Sequence, residues 1–156
     1  MMQAEVITGT ETLSVPDPAL EILIDFYRAF NQRDMSLMQQ NWQQSSEASM
    51  SNPLGGVKRG WPEIQAVYER IFNGPAEVYV EYYDYSLHQT TEMFTVVGRE
   101  RGYFKLGDMQ LELAIRTSRI FRQVDGQWRQ LHHHGSIDVP QRLADYQHAV
   151  LNGKTH

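Results

Sequence analysis

The chain has 156 residues, 41% hydrophobic and 11% aromatic, enough for one domain that buries roughly two thirds of its unfolded surface without cross-links. It contains no cysteine, which excludes disulfides, thiolate metal sites and cysteine nucleophiles. With 14 basic against 19 acidic residues its net charge is −5, so phosphate backbones repel the chain as a whole and nucleic acid is not an expected partner. No apolar run reaches the roughly 18 residues of a membrane span, and the start, MMQAEVITGTETLSV, lacks a basic segment followed by an apolar one. A cytoplasmic protein without membrane contact is expected.

Residues 1–15 read as a polar tail. In VPDPALEILIDFYRAFNQRD the apolar residues Leu23, Phe26, Tyr27 and Phe30 repeat at helical spacing, with Asp17 placed to cap the helix and Pro18 at its first position. A second short helix over about 34–42 presents Leu37, Met38 and Trp42. The stretch SSEASMSNPLGGVKRG reads as a short strand, a turn at Asn52 to Gly56 and a loop. WPEIQAVYERIFNGP is a third helix with Pro62 in its first turn, a stripe of Ile64, Val67, Tyr68, Ile71 and Phe72, and a stop at Asn73-Gly74-Pro75. From residue 77 the texture turns to β, in four segments rich in β-branched and aromatic residues and parted by turn signals such as Gly107-Asp108 and Asp125-Gly126. Helices first and strands after predict an α+β domain over residues 16–140, three N-terminal helices packing on one face of a curved, mostly antiparallel sheet. Residues 141–156 form a C-terminal extension with a short helix that either closes a cavity or packs on a partner.

Asp125-Gly126 is a two-residue hairpin signal, and simple counting from it pairs Phe121 with Gln130, Arg119 with His132, Thr117 with His134 and Ile115 with Ser136. Cross-strand partners share a face. One face then carries Trp128, Phe121, Arg119, His132, Thr117, His134 and Ser136, the mixture expected of an apolar pocket with a few convergent polar groups. The other carries Ile120, Leu131, His133, Arg116 and Ile137. A single bulge would reverse this parity. As a metal site, His132 and His134 supply only two ligands where zinc needs a third, and Arg119 opposite would repel a cation, so no metal and no cofactor are expected. Ser136 lacks the sharp turn that exposes a serine nucleophile. The arginines Arg99, Arg101, Arg116, Arg119, Arg122 and Arg129 suit carboxylate recognition or a solvated sheet face equally well.

The segments FYRAFNQRD, NPLGGVKRG and IRTSRIFRQVDGQWRQLHHHGS, with Gly60 to Ile64 and the order of elements, resemble the nuclear transport factor 2-like superfamily, SnoaL-like members above all; the DGQW turn and the histidines and serine after it are also similar to the association domain of calcium/calmodulin-dependent protein kinase. The resemblance implies a cone whose helices and curved sheet enclose a cavity, with homodimers formed through the outer sheet face. Members include isomerases, dehydratases, cyclases and non-catalytic carrier or oligomerisation modules, so fold alone does not assign chemistry. The chain departs from the ketosteroid isomerase pattern at each catalytic position. The base position falls on Asn52, which cannot take a proton; the helix tyrosine falls on Phe26, with Tyr27 next to it; the acid falls near Thr117 or Ser118. The similarity to the kinase domain places Arg119 and Arg99 as pocket arginines.

The resulting expectation is a small-molecule-binding protein, with the isomerase, dehydratase or cyclase class and a purely binding or oligomerising role both open. His134 is the expected base, His132 the second, and Arg119 the anchor for an oxyanion or carboxylate. Tyr27, Phe30, Trp42, Asn52, Arg99, Thr117, Phe121, Trp128 and Ser136 are the expected lining for a hydrophobic ligand bearing a carbonyl or carboxylate, although helical aromatics are more often plain core.

Overall fold

A computed structural model describes residues 6–153, the side chains of 152 and 153 excepted. Helix α1 (Pro18–Asn31) starts where expected: the Asp17 carboxylate accepts from Leu20 N at 3.3 Å, and Leu20, Leu23, Ile24, Phe26 and Tyr27 are buried. Helix α2 (Met35–Asn41) is capped by Asp34 through Leu37 N at 3.0 Å. Helix α3 (Trp61–Asn73) follows Gly60 at φ 81° and buries Trp61, Ile64, Val67, Tyr68 and Phe72.

Among the described residues the sheet has seven strands: β1 (Val6–Ile7), β2 (Ser49–Ser51), β3 (Lys58–Arg59), β4 (Glu77–Gln89), β5 (Met93–Leu106), β6 (Met109–Val124) and β7 (Gln127–Ser136), in the order β1-β4-β5-β6-β7-β2-β3. Every pairing is antiparallel except β2 with β7. The three helices pack on its concave side, so the class is the expected α+β. A fourth helix, α4 (Pro140–Gly153), lies back on the same sheet, with Ala149 buried and Tyr146 set edge-on to Phe104 at 6.0 Å. The C-terminal segment thus packs on its own cone. Among the described residues no helix is long and apolar enough to cross a membrane.

Two findings correct the sequence reading. The supposed polar tail is docked from Val6 onward: β1 pairs with Tyr82 and Tyr83 of β4, Arg28 Nε donates to Gly9 O at 2.8 Å, and Asn31 Nδ2 donates to Thr8 O at 2.9 Å. The register of β6 with β7 also holds only from Val124–Gln127 to Phe121–Gln130. Ile120 then pairs with His132 and Arg119 with His133, which leaves Leu131 as an extra residue. The cause is long-range. The Gln130 carbonyl accepts from Gln43 N at 2.9 Å beside a parallel bridge between Trp42 and Gln130, and from His132 the strand pairs with β2. Meeting both neighbours requires one bulged residue, and a bulge bends its strand.

Gly9 adopts φ 96°, and a Cβ there would stand 2.3 Å from Arg28 N. Gly9→Ala must therefore both strain the backbone and push the segment off α1, at a cost of about 2–4 kcal/mol. Urea unfolding should show a lowered midpoint with an unchanged slope; an unaltered midpoint would mean that this docking contributes nothing to the fold.

Candidate functional site

The concave face holds a continuous buried polar chain. Arg119, 1% exposed, reaches inward from β6. Its Nη2 donates to Glu100 Oε2 at 3.0 Å, its Nη1 to Gln130 Oε1 at 2.8 Å and its Nε to the Tyr27 hydroxyl at 3.4 Å. Tyr27 donates to the same Glu100 oxygen at 2.7 Å. The chain continues from Gln130 Nε2 to Asn41 Oδ1 and from Asn41 Nδ2 to Ile22 O, each at 2.9 Å. The guanidinium lies 3.6 Å over the Phe26 ring. Burial works against the Arg119 charge, but Tyr27, Glu100 and Tyr68 outweigh it and hold the group charged. Burial raises the Tyr27 hydroxyl well above its ordinary range, so it remains a donor.

Opposite Arg119 lies His133. The residue keeps some exposed surface, yet both ring nitrogens are sealed from solvent and neither has a hydrogen-bond partner. Burial, then the charges of Arg119, His132 and His134, hold the imidazole neutral well below its ordinary value. Its Nε2 reaches over Gly135, where an added Cβ would stand 3.1 Å away, and Gly135 is the cross-strand partner of Thr117. Three further sealed atoms have no partner: Thr117 Oγ1, Trp42 Nε1 and the Tyr68 hydroxyl. Tyr68 is close enough to Trp42 and Arg119 to feel both, but is aligned for a hydrogen bond with neither. Unpartnered buried polar atoms are uncommon in folded domains, and five in one interior call for an explanation.

The expected residues separate into two sets. Arg119, Thr117, Phe121, Trp128, Tyr27, Phe30 and Trp42 are brought to the interior: Phe121 stacks on Phe94 at 4.6 Å, Trp128 meets Phe94 edge-on, and Phe30 packs with Phe26, Tyr68 and Phe72. His132, His134 and Ser136 are not, because the bulge turns them to the outer face. There His132 Nδ1 pairs with Ser49 Oγ at 2.7 Å and Ser136 accepts from Arg116 at 3.2 Å. Arg99 also faces outward, bound to Asp84 at 3.1 Å, and Asn52 Oδ1 accepts from Leu54 N within its own turn. Ile137, expected outside, is buried at 8% exposure.

Sequence reasoning missed Glu100, Gln130 and His133. For Glu100 a signal was present: it shares the parity of Phe94, Val96 and Phe104, the buried set of β5. A pocket of 230 Å³ lies between β6 and α4, lined in part by Leu113, Ile137 and Tyr146. Leu113 and Ile137 are the next same-face positions after Ile115 and Gly135. A larger groove of 950 Å³ lies at the opposite end.

A family model described as the SnoaL-like domain matches residues 20–140. A search of curated proteins finds no match. Among solved structures, a protein from Thiobacillus denitrificans provisionally named as a calcium/calmodulin-dependent protein kinase type II association domain has 22% identity and a TM-score of 0.62, covering 78% of this chain and 94% of its own. A nuclear transport factor 2-like protein from Streptomyces avermitilis, provisionally named as a dehydratase, has 18% identity and a TM-score of 0.67 over 76% and 93%. A nuclear transport factor 2-like superfamily protein from Salmonella enterica has 19% identity and a TM-score of 0.67 over 74% and 85%. At these identities the likeness is one of fold.

Removing one partner of the buried ion pair leaves a charge without compensation, so Arg119→Met should destabilise by about 3–5 kcal/mol while Arg119→Met with Glu100→Gln recovers much of the loss. Additive effects in that cycle would rule the pair out as a coupled unit. His133 has the opposite kind of signature. The unfolded chain takes up a proton there below its ordinary value of 6.5 and the folded chain does not, so stability falls as pH drops through 6.5, by about 1.4 kcal/mol per unit from this group. In His133→Gln the loss of stability between pH 6.5 and 5.5 should shrink by about 1 kcal/mol, because the unfolded imidazole is only half charged at 6.5; an unchanged loss would place the imidazole in solvent.

Proposed function

Since the chain belongs to the SnoaL-like family, we propose that it binds a small neutral carbonyl compound at the concave face and moves a proton on it through His133, as an isomerase or dehydratase does. The observation that carries this reading is the sealed, neutral and unpartnered imidazole of His133 opposite Arg119. A neutral imidazole is a competent base near physiological pH. It would take a proton from the carbon beside the carbonyl, the electron pair would move to the oxygen, and the proton would return at another carbon or a hydroxyl would leave as water. Thr117 and Tyr68 are free donors for that oxygen, with the Arg119 charge behind them. Glu100 cancels the Arg119 charge, which favours a neutral carbonyl over a carboxylate. The pocket beneath α4 supplies the approach, with Tyr146 as its roof. The name carried by the Streptomyces avermitilis protein is in keeping with dehydratase chemistry.

One specific observation favours binding without turnover: the Arg119, Glu100, Tyr27 and Gln130 groups already satisfy one another. A single experiment separates the two readings. Cyclic enones incubated with the protein in deuterated buffer should exchange the proton beside the carbonyl, followed by NMR, and His133→Gln should slow the exchange by about 10²–10⁴. Exchange untouched by that substitution would remove His133 from the chemistry, and thermal stabilisation by the enone without any exchange would leave the binding role.

A further inference from the structure

We propose that the 950 Å³ groove at the base of the fold, lined by none of Arg119, Thr117 or His133, is a second binding site and takes a neutral oligosaccharide. Its walls come from the first turns of α1, the end of α2, the β4–β5 turn and the β6–β7 hairpin. Side-chain amides converge there: Gln40, Gln89 and Gln123 line the groove, and none of the three makes a side-chain hydrogen bond among the described residues. Nearby Gln43 and Gln130, by contrast, are committed to Arg122 and to Arg119 with Asn41. A free amide offers one acceptor and two donors in a plane. Neighbouring sugar hydroxyls, each a donor and an acceptor, are the natural complement.

The charges of the groove are balanced. Asp25 is paired with Arg28 at 3.0 Å, and the two remaining charged residues of the lining, Glu21 and Arg129, are of opposite sign, so the lining carries no net charge that would select an ionic ligand. Trp128 adds an apolar patch and an indole N–H that makes no hydrogen bond among the described residues, the combination of apolar body and polar handle that suits a sugar ring. The floor is rigid, because Asn41 is 1% exposed and fixed both to Ile22 O and to Gln130.

The test is a titration of the ¹⁵N-labelled chain with maltotriose, cellotriose and chitotriose, with trialanine as the peptide probe, read at the Trp128 indole resonance assigned through Trp128→Phe. At least one trisaccharide should shift that resonance saturably in the millimolar range, leaving the His133 ring signals in place. Gln89→Ala with Gln123→Ala removes two side chains that hold nothing in the fold, and should weaken binding about tenfold, the worth of one or two net hydrogen bonds. The inference is overturned if no trisaccharide moves the signal, if trialanine moves it instead, or if the double variant binds as tightly as the parent. None of these outcomes bears on the enone experiment, so the two readings fail separately.

Discussion

The Arg119–Glu100 ion pair is the constraint around which the interior is arranged. Two charges taken out of water are tolerated only when paired and when their remaining hydrogen-bonding capacity is met. Here the requirement recruits an element from each layer. Tyr27 comes from α1, Asn41 from the end of α2, Glu100 from β5 and Gln130 from β7, all within 3.4 Å of the next partner in the chain of bonds. Phe26 closes the remaining face of the guanidinium. The helices are therefore held to the sheet by direction as well as by apolar area, which fixes their placement more narrowly than packing alone.

That arrangement sets the electrostatics of everything near it. A neutralised pair in a desolvated space gives a polar interior without net charge. The surrounding hydroxyls are pushed up, Tyr146 to about 12, largely by burial, and stay protonated donors. His133 is pushed down by the same burial and stays a neutral acceptor. Donors and an acceptor kept in opposite protonation states by one environment are what proton transfer on a carbonyl compound needs.

Strand β7 serves two surfaces because of one residue. Before the bulge Trp128 and Gln130 face inward; after it His133 and Gly135 do, while His132 and His134 join Ser49 and Ser51 of β2 on the outside. Gly135 matters for what it lacks, since its missing side chain leaves the space the His133 ring occupies. The surface also carries two hollows of different character, one roofed by α4 and an amide-lined groove at the hairpin tips.

The sequence by itself determined the local elements: the Asp17 cap and Pro18 start of α1, the stripe of α3, the Asp125-Gly126 hairpin and the α+β order all follow from preferences of neighbouring residues. It also carried a readable sign of Glu100, in the parity of Phe94, Val96 and Phe104. It could not place the histidines. Their orientation turns on Leu131 being extra, and Leu131 is extra because Gln130 is claimed by Gln43 and His132 by Ser49, residues more than eighty positions away. Nor could it show that Val6 to Glu11 dock on α1, since that contact rests on Gly9 meeting the backbone of Arg28. Periodicity reports which residues share a face of one strand; which way that face looks is decided by distant partners that only the folded chain brings together.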